Sequence, residues 1–177
     1  MHEQGQSSRL IEIHGPDGVV LRELTVDDAQ RYFDLVDFDR DHLSQHGEPT
    51  AQNYSSLEKA RERLANPGEK QRFGIWVNGE MVGSINLTPQ EDTAELGYWI
   101  GKQHVGHGYA AKATQALVKH AFAVEPWNYI FAIVDKDNQA SVRTLENAGF
   151  IPAESRPALE QKRMFITTKS RSQREGS

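Results

Sequence analysis

The stretch from Glu95 to Ala113 constrains the fold of this chain more than any other segment. It reads E-L-G-Y-W-I-G-K-Q-H-V-G-H-G-Y-A-A-K-A. Its opening residues are rich in aromatic and branched side chains, which predicts a β-strand that Gly101 ends. From Tyr109 onward, small and apolar residues recur at helical spacing. The pattern therefore predicts a strand, a loop that contains glycine, and a helix in immediate succession.

The loop between this strand and helix has the composition of a phosphate-binding loop. Gly106 and Gly108 have no Cβ, so the backbone there can approach a ligand closely. The first turn of the following helix presents unpaired N–H groups and the positive end of the helix dipole. Phosphate groups bind at such helix N-termini, and the loop is therefore a candidate site for a phosphate-containing ligand.

Two glycine motifs fit this loop. Residues 106–111 match the dinucleotide-binding pattern G-x-G-x-x-A, and residues 103–108 match Q-x-x-G-x-G. The dinucleotide pattern expects an acidic residue about twenty positions later, at the end of a strand. The nearest candidate, Glu125, stands in A-V-E-P-W at a helix exit, and too little chain follows for the rest of a dinucleotide domain. The position of the motif therefore favours the second pattern.

Hydrophobic periodicity predicts an α+β domain over residues 8–168, with polar tails at 1–7 and 169–177. We expect a mostly antiparallel sheet of six or seven strands with flanking helices. The helix after the glycine loop joins the strand that ends at Ile100 to an apolar strand at 129–134. Such a crossover makes these two strands parallel.

Short polar motifs mark the turns and helix starts of this domain. They are the turn G-P-D-G at 15–18, the type I′ turn Asn78-Gly79, the helix N-caps Thr25 and Ser55 or Ser56, the helix start at Asn138 or Ser141, and a final hairpin joined around Pro157.

The composition excludes several classes of site. The chain contains no cysteine, which excludes disulfides, thiolate metal sites and a cysteine acyl-enzyme. His42 and His46 have i, i+4 spacing but no third ligand nearby, so we expect no metal. The net charge of −5 and the lack of a basic, aromatic stripe argue against nucleic acid as a partner. Without an apolar run long enough for a bilayer or a signal-peptide core, we expect a cytoplasmic protein with no membrane partner.

Four blocks of the sequence together resemble the GNAT superfamily of acyl-CoA N-acetyltransferases, in particular the RimJ/RimL-type ribosomal-protein N-terminal acetyltransferases. The resemblance covers most of the chain, because the spacing between the blocks also fits. It implies the GNAT fold, in which the two parallel strands splay apart at one end. The blocks are L-R-E-L-T-V-D-D-A at 21–29, E-L-G-Y-W-I at 95–100, Q-H-V-G-H-G-Y-A at 103–110 and D-N-Q-A-S-V-R-T-L-E-N-A-G-F at 137–150.

The resemblance implies acetyl-CoA as the co-substrate and assigns residues to it. Backbone N–H groups of the glycine loop would hold the pyrophosphate, and the pantetheine arm would pair with main chain near Trp99 and Ile100. Asn138 would orient that arm or an ordered water, with helix capping as the alternative. The loop residues are Gln103, His104, Val105, Gly106, His107, Gly108, Tyr109 and Ala110.

The resemblance also implies direct transfer of the acetyl group to a primary amine. Glu95 is the candidate general base, because related enzymes place a carboxylate on this strand, and Glu91 is the alternative. Many family members carry a tyrosine where this chain has Leu145. The RimJ/RimL pattern offers a serine instead, so Ser141 is the candidate general acid or hydrogen-bond donor to the thiol. Its alternative role is that of a helix N-terminal hydroxyl.

The expected acceptor is the α-amine at a protein or peptide N-terminus. An α-amino group has a pKa of about 8 and a lysine about 10.4, so about a tenth of the former is neutral at pH 7. A carboxylate base acting through water can deprotonate the α-ammonium, which is more acidic than the lysine ammonium. A small amine (polyamine, amino acid or aminoglycoside) is the alternative acceptor, and Leu145 leaves open a non-catalytic acyl-CoA-binding module. A homodimer is expected by family analogy alone.

Two further groups of side chains have a packing or surface interpretation. Tyr98 and Trp99 point to opposite faces of a regular strand, so at most one of them can face the ligand. The acidic residues of the segment 34–41 would attract a cationic acceptor if they lined the cleft, but a solvated face is the favoured interpretation. These acidic residues are Asp34, Asp37, Asp39 and Asp41.

Overall fold

The computed structural model describes residues 9–45, 49–154 and 161–175, and a mixed β-sheet runs through them. Its strands are β1 Glu12–His14, β2 Val19–Glu23, β3 Gln71–Val77, β4 Glu80–Gln90, β5 Thr93–Ile100, β6 Tyr129–Asp135, β7 Ile151–Pro152 and β8 Lys162–Thr168. The helices are α1 Ala29–Phe38, α2 Arg40–Leu43, α3 Thr50–Asn53, α4 Leu57–Ala65, α5 Tyr109–Val124, α6 Gln139–Asn147 and α7 Lys169–Glu175. The spatial order of the strands is β1-β2-β3-β4-β5-β6-β8-β7.

Tight turns join β1 to β2 and β3 to β4 as two antiparallel hairpins, as the sequence predicts. A 3₁₀ turn at Pro16–Gly18 connects β1 to β2. Asn78 and Gly79 have φ values of 51° and 78° and connect β3 to β4. Positive φ at both central residues is what a type I′ turn requires. In the second hairpin the pairing shifts register between Ile75 and Trp76, so the turn and this irregularity together set the register of the strands that carry the site.

The predicted N-caps begin the helical segments that cover one face of the sheet. The Thr25 hydroxyl accepts from the Asp27 N–H at 3.3 Å, and the Asp28 carboxylate accepts from the Thr25 N–H at 2.9 Å. This reciprocal pair is a capping box. The Ser56 hydroxyl accepts from the Lys59 N–H at 3.1 Å and begins α4.

The parallel strands β5 and β6 separate at one end, as expected for the GNAT fold. Their ladder ends where Glu95 lies opposite Phe131, whereas β5 continues to Ile100 and β6 to Asp135. We call the opening between residues 96–100 and 132–135 the fork. Helix α5 makes the crossover between the two strands. Its N-terminus therefore lies at the edge of the sheet where β5 ends.

The two faces of the sheet are covered by different helices. On one face, Leu96 is buried in a cluster with Leu117 of α5, and Tyr98 packs against the same cluster. On the other face, Trp99 is buried in a cluster with Tyr32 of α1. We call these the α5 face and the α1–α4 face. Tyr98 and Trp99 therefore point in opposite directions, as the strand period requires.

The structure differs from the predicted fold at its edges. The sheet has eight strands rather than six or seven, because strands of only three and two residues pair at its two ends. Residues 169–175, predicted as a polar tail, form α7. There the Arg171 guanidinium donates to the Gly149 carbonyl at 2.7 Å, a contact between distant residues that local polarity does not signal. His46 and the linker around Pro157 lie outside the described residues.

No helix in the part of the chain that the structure describes combines the length and the apolar composition needed to span a bilayer.

Candidate active site

The loop between β5 and α5 depends on two glycines in the left-handed region. A 3₁₀ turn at Lys102–His104 follows β5, and Gly106 and Gly108 have φ values of 84° and 75°. Other L-residues rarely adopt such values, so both positions favour glycine. Helix α5 then begins at Tyr109 and runs for 16 residues.

Most N–H groups of this loop point at no protein acceptor. The His104 N–H donates to the Gly101 carbonyl at 2.8 Å, and the Lys112 N–H donates to the Gly108 carbonyl at 3.1 Å. Among the described residues, no acceptor serves the N–H groups of residue 103 or of residues 105–111. The loop therefore presents a row of free donors at the positive end of a long helix, which suits an anion. Of the predicted loop positions, only His104 has its N–H engaged within the loop.

A buried carboxylate fixes the start of this loop. Asp39, at the end of α1, is only 4% exposed, and its Oδ2 accepts from the Lys102 N–H at 2.7 Å. A Cβ on Gly101 would lie 3.0 Å from the same oxygen, so glycine permits this close approach. The other predicted acidic residues, Asp34, Asp37 and Asp41, are exposed. Asp39 thus positions the loop, a role that its place in an acidic run did not reveal.

The end of β5 turns part of its main chain toward the fork. The Gly101 N–H donates to the Val82 carbonyl of β4 at 2.8 Å, and Gly83 lies opposite Ile100. Because backbone groups alternate in direction along an antiparallel strand, those of Tyr98 and Ile100 point away from β4 and into the fork. The main-chain groups of Ile100 are therefore not used by β4 and face the fork. The backbone of Trp99 faces β4 by the same alternation.

Glu95 lies at the point where the fork opens and lines a pocket on the α1–α4 face. The pocket has a volume of about 220 Å³. No described residue hydrogen-bonds the Glu95 carboxylate, so it is open to a ligand. Glu91, the alternative base, is exposed in the turn between β4 and β5 and does not line this pocket. The lining side chains on neighbouring strands are Arg72, Ser84, Asn86 and Thr88.

Ser141 lies on the other side of the fork and contacts a tyrosine. Its Oγ is 2.6 Å from the Tyr98 hydroxyl. Its N–H donates to Asn138 Oδ1 at 3.1 Å, so Asn138 is the N-cap of α6. Burial raises the pKa of Tyr98, and hydrogen bonds from Ser141 and Thr144 partly oppose that rise. Tyr98 is therefore a neutral hydroxyl at physiological pH.

Tyr98 is a site residue that the sequence analysis assigns to packing. The strand period separates it from Trp99 and directs the two side chains to opposite faces. That alternation was the available signal, since it directs Tyr98 to the face that carries α6. Leu145, at the position of the family tyrosine, is fully buried in the hydrophobic cluster that also contains Leu117 of α5.

Basic side chains supply the remaining charge of the Glu95 pocket. Three basic residues line the Glu95 pocket: Arg63, Lys70 and Arg72. Within residues 9–45, 49–154 and 161–175, no group of three or more metal-ligating side chains is placed to hold an ion. His42 lies on α2 and is not among the residues that line the pocket.

A comparison with protein families matches residues 19–151 to the acetyltransferase (GNAT) domain. Among curated proteins, the chain is 30% identical over 144 residues to a probable N-acetyltransferase, YjcK, of Bacillus subtilis. The match covers 75% of this chain and 80% of that protein.

Solved structures share the fold at lower identity. The ribosomal-protein α-N-acetyltransferase RimL, solved with coenzyme A, superposes with a TM-score of 0.78 and 21% identity, over 89% of this chain and 98% of that one. The aminoglycoside acetyltransferase AAC(6′)-Ib, solved with coenzyme A and kanamycin, superposes with a TM-score of 0.74 and 17% identity, over 90% and 99%. One architecture thus carries enzymes with quite different amine acceptors.

Proposed function

Because the chain belongs to the GNAT family of acetyltransferases, which take the acetyl group from acetyl-CoA, we propose that its acceptor is the α-amine at the N-terminus of a protein or peptide. The observation that carries this proposal is the open carboxylate of Glu95 in a polar pocket where β5 and β6 part. A carboxylate can take a proton directly or through a water, and an α-ammonium gives one up at a pKa of about 8.

In this proposal the co-substrate lies along the α5 side of the fork. The free N–H groups of residues 105–111 hold the diphosphate, and the pantetheine arm pairs with the main chain of Ile100. Asn138 holds α6 beside that arm through its N-cap bond to Ser141. The loop bears no acidic side chain, so nothing within it repels the phosphates.

The proposed base and acid approach the reacting carbonyl from opposite faces of the sheet. The amine nitrogen attacks the thioester carbon, forms the C–N bond and passes its proton to Glu95. The tetrahedral intermediate then breaks its C–S bond, and the departing CoA thiolate accepts a hydrogen bond from Ser141, which stabilises it until it takes up a proton from solvent. A main-chain N–H at the fork, on Tyr98 or Ile100, stabilises the oxyanion. The separation of the two groups lets the acceptor and the donor enter from different sides.

The alternative acceptor class, a small amine, is constrained by the same pocket. Polyamines and aminoglycosides carry several positive charges, whereas three of the lining side chains are themselves basic. Like charges brought together in a partly buried pocket repel one another. Among small amines, the pocket therefore favours amino acids over polycations.

The proposal is tested with a panel of acceptors. Purified protein is mixed with acetyl-CoA and either short peptides with free N-termini, polyamines, aminoglycosides or free amino acids. Released thiol is measured, and the absence of cysteine in the chain keeps the background low. Mass spectrometry then locates the acetyl group. We expect acetylation at the peptide α-amine. Turnover of polyamines or aminoglycosides alone contradicts the proposal.

A further inference from the structure

The pocket that holds Glu95 has an excess of positive charge. Two of its basic residues, Arg63 on α4 and Arg72 on β3, are partly buried, and Glu95 is the one carboxylate among the described residues that line it. Burial strengthens electrostatic interactions relative to water. A pocket with this charge balance attracts a ligand that carries an anion as well as an amine.

Both guanidinium groups retain donors for a ligand. Arg63 Nη2 donates to Asn53 Oδ1 at 3.1 Å, and Arg72 Nη1 donates to the Arg63 carbonyl at 3.3 Å. Neither arginine forms a salt bridge with a carboxylate in the described ranges 9–45, 49–154 and 161–175. A guanidinium has five N–H donors in a planar fork that matches a carboxylate. Each group is thus held in place and still has free N–H groups.

The registers of the sheet give the spacing between this positive charge and the proposed base. Arg72 lies opposite Asn86 of β4, which lies opposite Gly97 of β5, two residues beyond Glu95. With strands about 4.8 Å apart and about 3.4 Å per residue, the Cα atoms of Arg72 and Glu95 are about 12 Å apart. All four residues share the α1–α4 face, because the strand period is two.

An extended peptide spans this distance within its first three residues. If its N-terminal amine meets Glu95, the Cα of residue 3 lies about 7 Å away. An acidic side chain at residue 2 or 3 then covers the remaining distance to the guanidinium of Arg72 or Arg63. At residue 6 the Cα lies about 17 Å from the amine, which is beyond the arginines.

We propose that the acceptor is an N-terminus with a carboxylate at its second or third residue, held by Arg63 and Arg72 while Glu95 receives the proton of the amine. This inference rests on the proposed function and makes its substrate class specific. It assigns the acid selectivity to α4 and β3, which take no part in binding acetyl-CoA in the proposal above.

The first test uses the wild-type protein and matched peptides. Amidated hexapeptides carry a single Glu at position 2, 3 or 6, and each has a partner with Gln at that position. Amidation removes the terminal carboxylate, so the side chain is the single anion. The measured quantity is the ratio of kcat/KM for the Glu peptide to kcat/KM for its Gln partner. We expect this ratio to be about 10 to 100 at positions 2 and 3, in line with a charge-assisted hydrogen bond, and about 1 at position 6. Added salt should reduce the advantage.

The second test removes the arginines. Arg72→Gln and Arg63→Gln should each bring the Glu:Gln ratio of kcat/KM toward one. Because the ratio is taken within one variant, a general loss of activity cancels from it. Arg72→Lys, which keeps the charge, should retain part of the ratio and covers the case that Arg72→Gln folds poorly. Arg61→Gln, an exposed arginine on α4, is the matched control and should keep the wild-type ratio.

The outcomes separate this inference from the proposed function. Equal turnover of Glu and Gln peptides at positions 2 and 3 overturns the acid selectivity and leaves N-terminal acetylation intact. A ratio that survives in both arginine variants overturns the assignment to Arg63 and Arg72. Failure to acetylate any peptide, with turnover of a small amine, overturns both.

Discussion

The hydroxyl of Tyr98 lies 2.6 Å from the hydroxyl of Ser141, although the two residues are 43 positions apart. Tyr98 comes from β5 and Ser141 from the first turn of α6, so this contact bridges the fork. Because burial raises the pKa of Tyr98, its hydroxyl keeps its proton at physiological pH. If Tyr98 donates to Ser141 Oγ, the Ser141 proton is free to point at the CoA sulfur. We therefore expect Tyr98 to act as a positioning residue for the proposed acid.

Removing this pair should slow turnover without weakening the binding of acetyl-CoA. We expect Ser141→Ala to lower kcat by about a hundredfold, at the lower end of general acid–base effects, and Tyr98→Phe to lower it less. The double variant should resemble Ser141→Ala alone, because residues that act in one hydrogen-bonded unit are not additive. Steady-state kinetics and calorimetric titration with acetyl-CoA measure the two quantities.

The control for this pair is Tyr129→Phe. Tyr129 is a half-buried tyrosine on β6 whose side chain hydrogen-bonds no described residue, so the same chemical change there should leave kcat unaltered. Fully additive effects of the two single changes would contradict the positioning role of Tyr98.

Replacing Glu95 by Gln should separate catalysis from co-substrate binding. The amide keeps the shape of the side chain but cannot take a proton at neutral pH. We expect turnover at pH 7 to fall about 10²- to 10⁴-fold, with acetyl-CoA affinity unchanged. Raising the pH through about 8 should restore part of the rate, because the α-amine then loses its proton to solvent. Pre-steady-state rates across pH 6.5–9 measure this.

Glu91→Gln is the matched control for this variant, because Glu91 is exposed in a turn and absent from the pocket. Wild-type turnover in Glu95→Gln, or a large loss in Glu91→Gln, would transfer the role of the base to another carboxylate. Loss of turnover at every pH, without recovery, would indicate a structural effect.

Local chemistry in the sequence predicts much of this fold. Thr25, Ser56 and Asn78-Gly79 each act through neighbours within three residues, so their caps and turns can be recognised from the sequence alone. The glycine loop is recognisable for the same reason. The family resemblance adds the fork, which no local pattern of the two strands indicates.

The parts that escape prediction depend on contacts between distant residues. Asp39 lies in a run of exposed acidic residues, and only its approach to the Lys102 N–H, 63 positions away, makes it a buried anchor. Arg63 and Arg72 read as ordinary charged positions on a helix and a strand, yet packing of α4 against the sheet brings both to the Glu95 pocket. In each case the side-chain type is evident, but its partner is set by tertiary structure.

The contact between Asp39 and Lys102 should matter for co-substrate affinity. Asp39→Ala removes the acceptor of a partly buried N–H, which costs about 1–3 kcal/mol and frees the start of the loop. We expect weaker acetyl-CoA binding by about tenfold and a lower melting temperature. Asp39→Asn keeps an acceptor oxygen of the same shape and should retain most of both. Calorimetric titration and thermal unfolding measure the two effects.

Two other aspartates provide the comparison for this prediction. Asp34→Ala and Asp41→Ala change exposed carboxylates of the same segment and should alter neither quantity. Equal effects of Asp39→Ala and Asp41→Ala would point to the net charge of the segment instead of the bond to Lys102.

The buried tyrosines should make stability fall steeply at alkaline pH. Burial, followed by the proximity of Tyr54, raises the pKa of Tyr32, and burial raises the pKa of Tyr98. In the unfolded chain both titrate near pH 10. Their stabilisation is therefore complete below about pH 10 and is lost as the pH rises toward the folded values, because the unfolded state then binds fewer protons. Each tyrosine contributes a slope of up to about 1.4 kcal/mol per pH unit.

Urea unfolding at pH 9, 10 and 11 tests this loss of stability, and Tyr32→Phe provides the comparison. The variant leaves the Trp99 indole N–H without its acceptor, which lies 3.3 Å away, and so costs about 1–3 kcal/mol at every pH. The prediction therefore concerns the slope above pH 10 rather than the absolute free energy of unfolding. We expect a shallower slope in Tyr32→Phe, a similar reduction in Tyr98→Phe, and the sum of the two in the double variant. A wild-type slope in Tyr32→Phe would mean that the Tyr32 hydroxyl ionises as readily in the folded protein as in the unfolded chain.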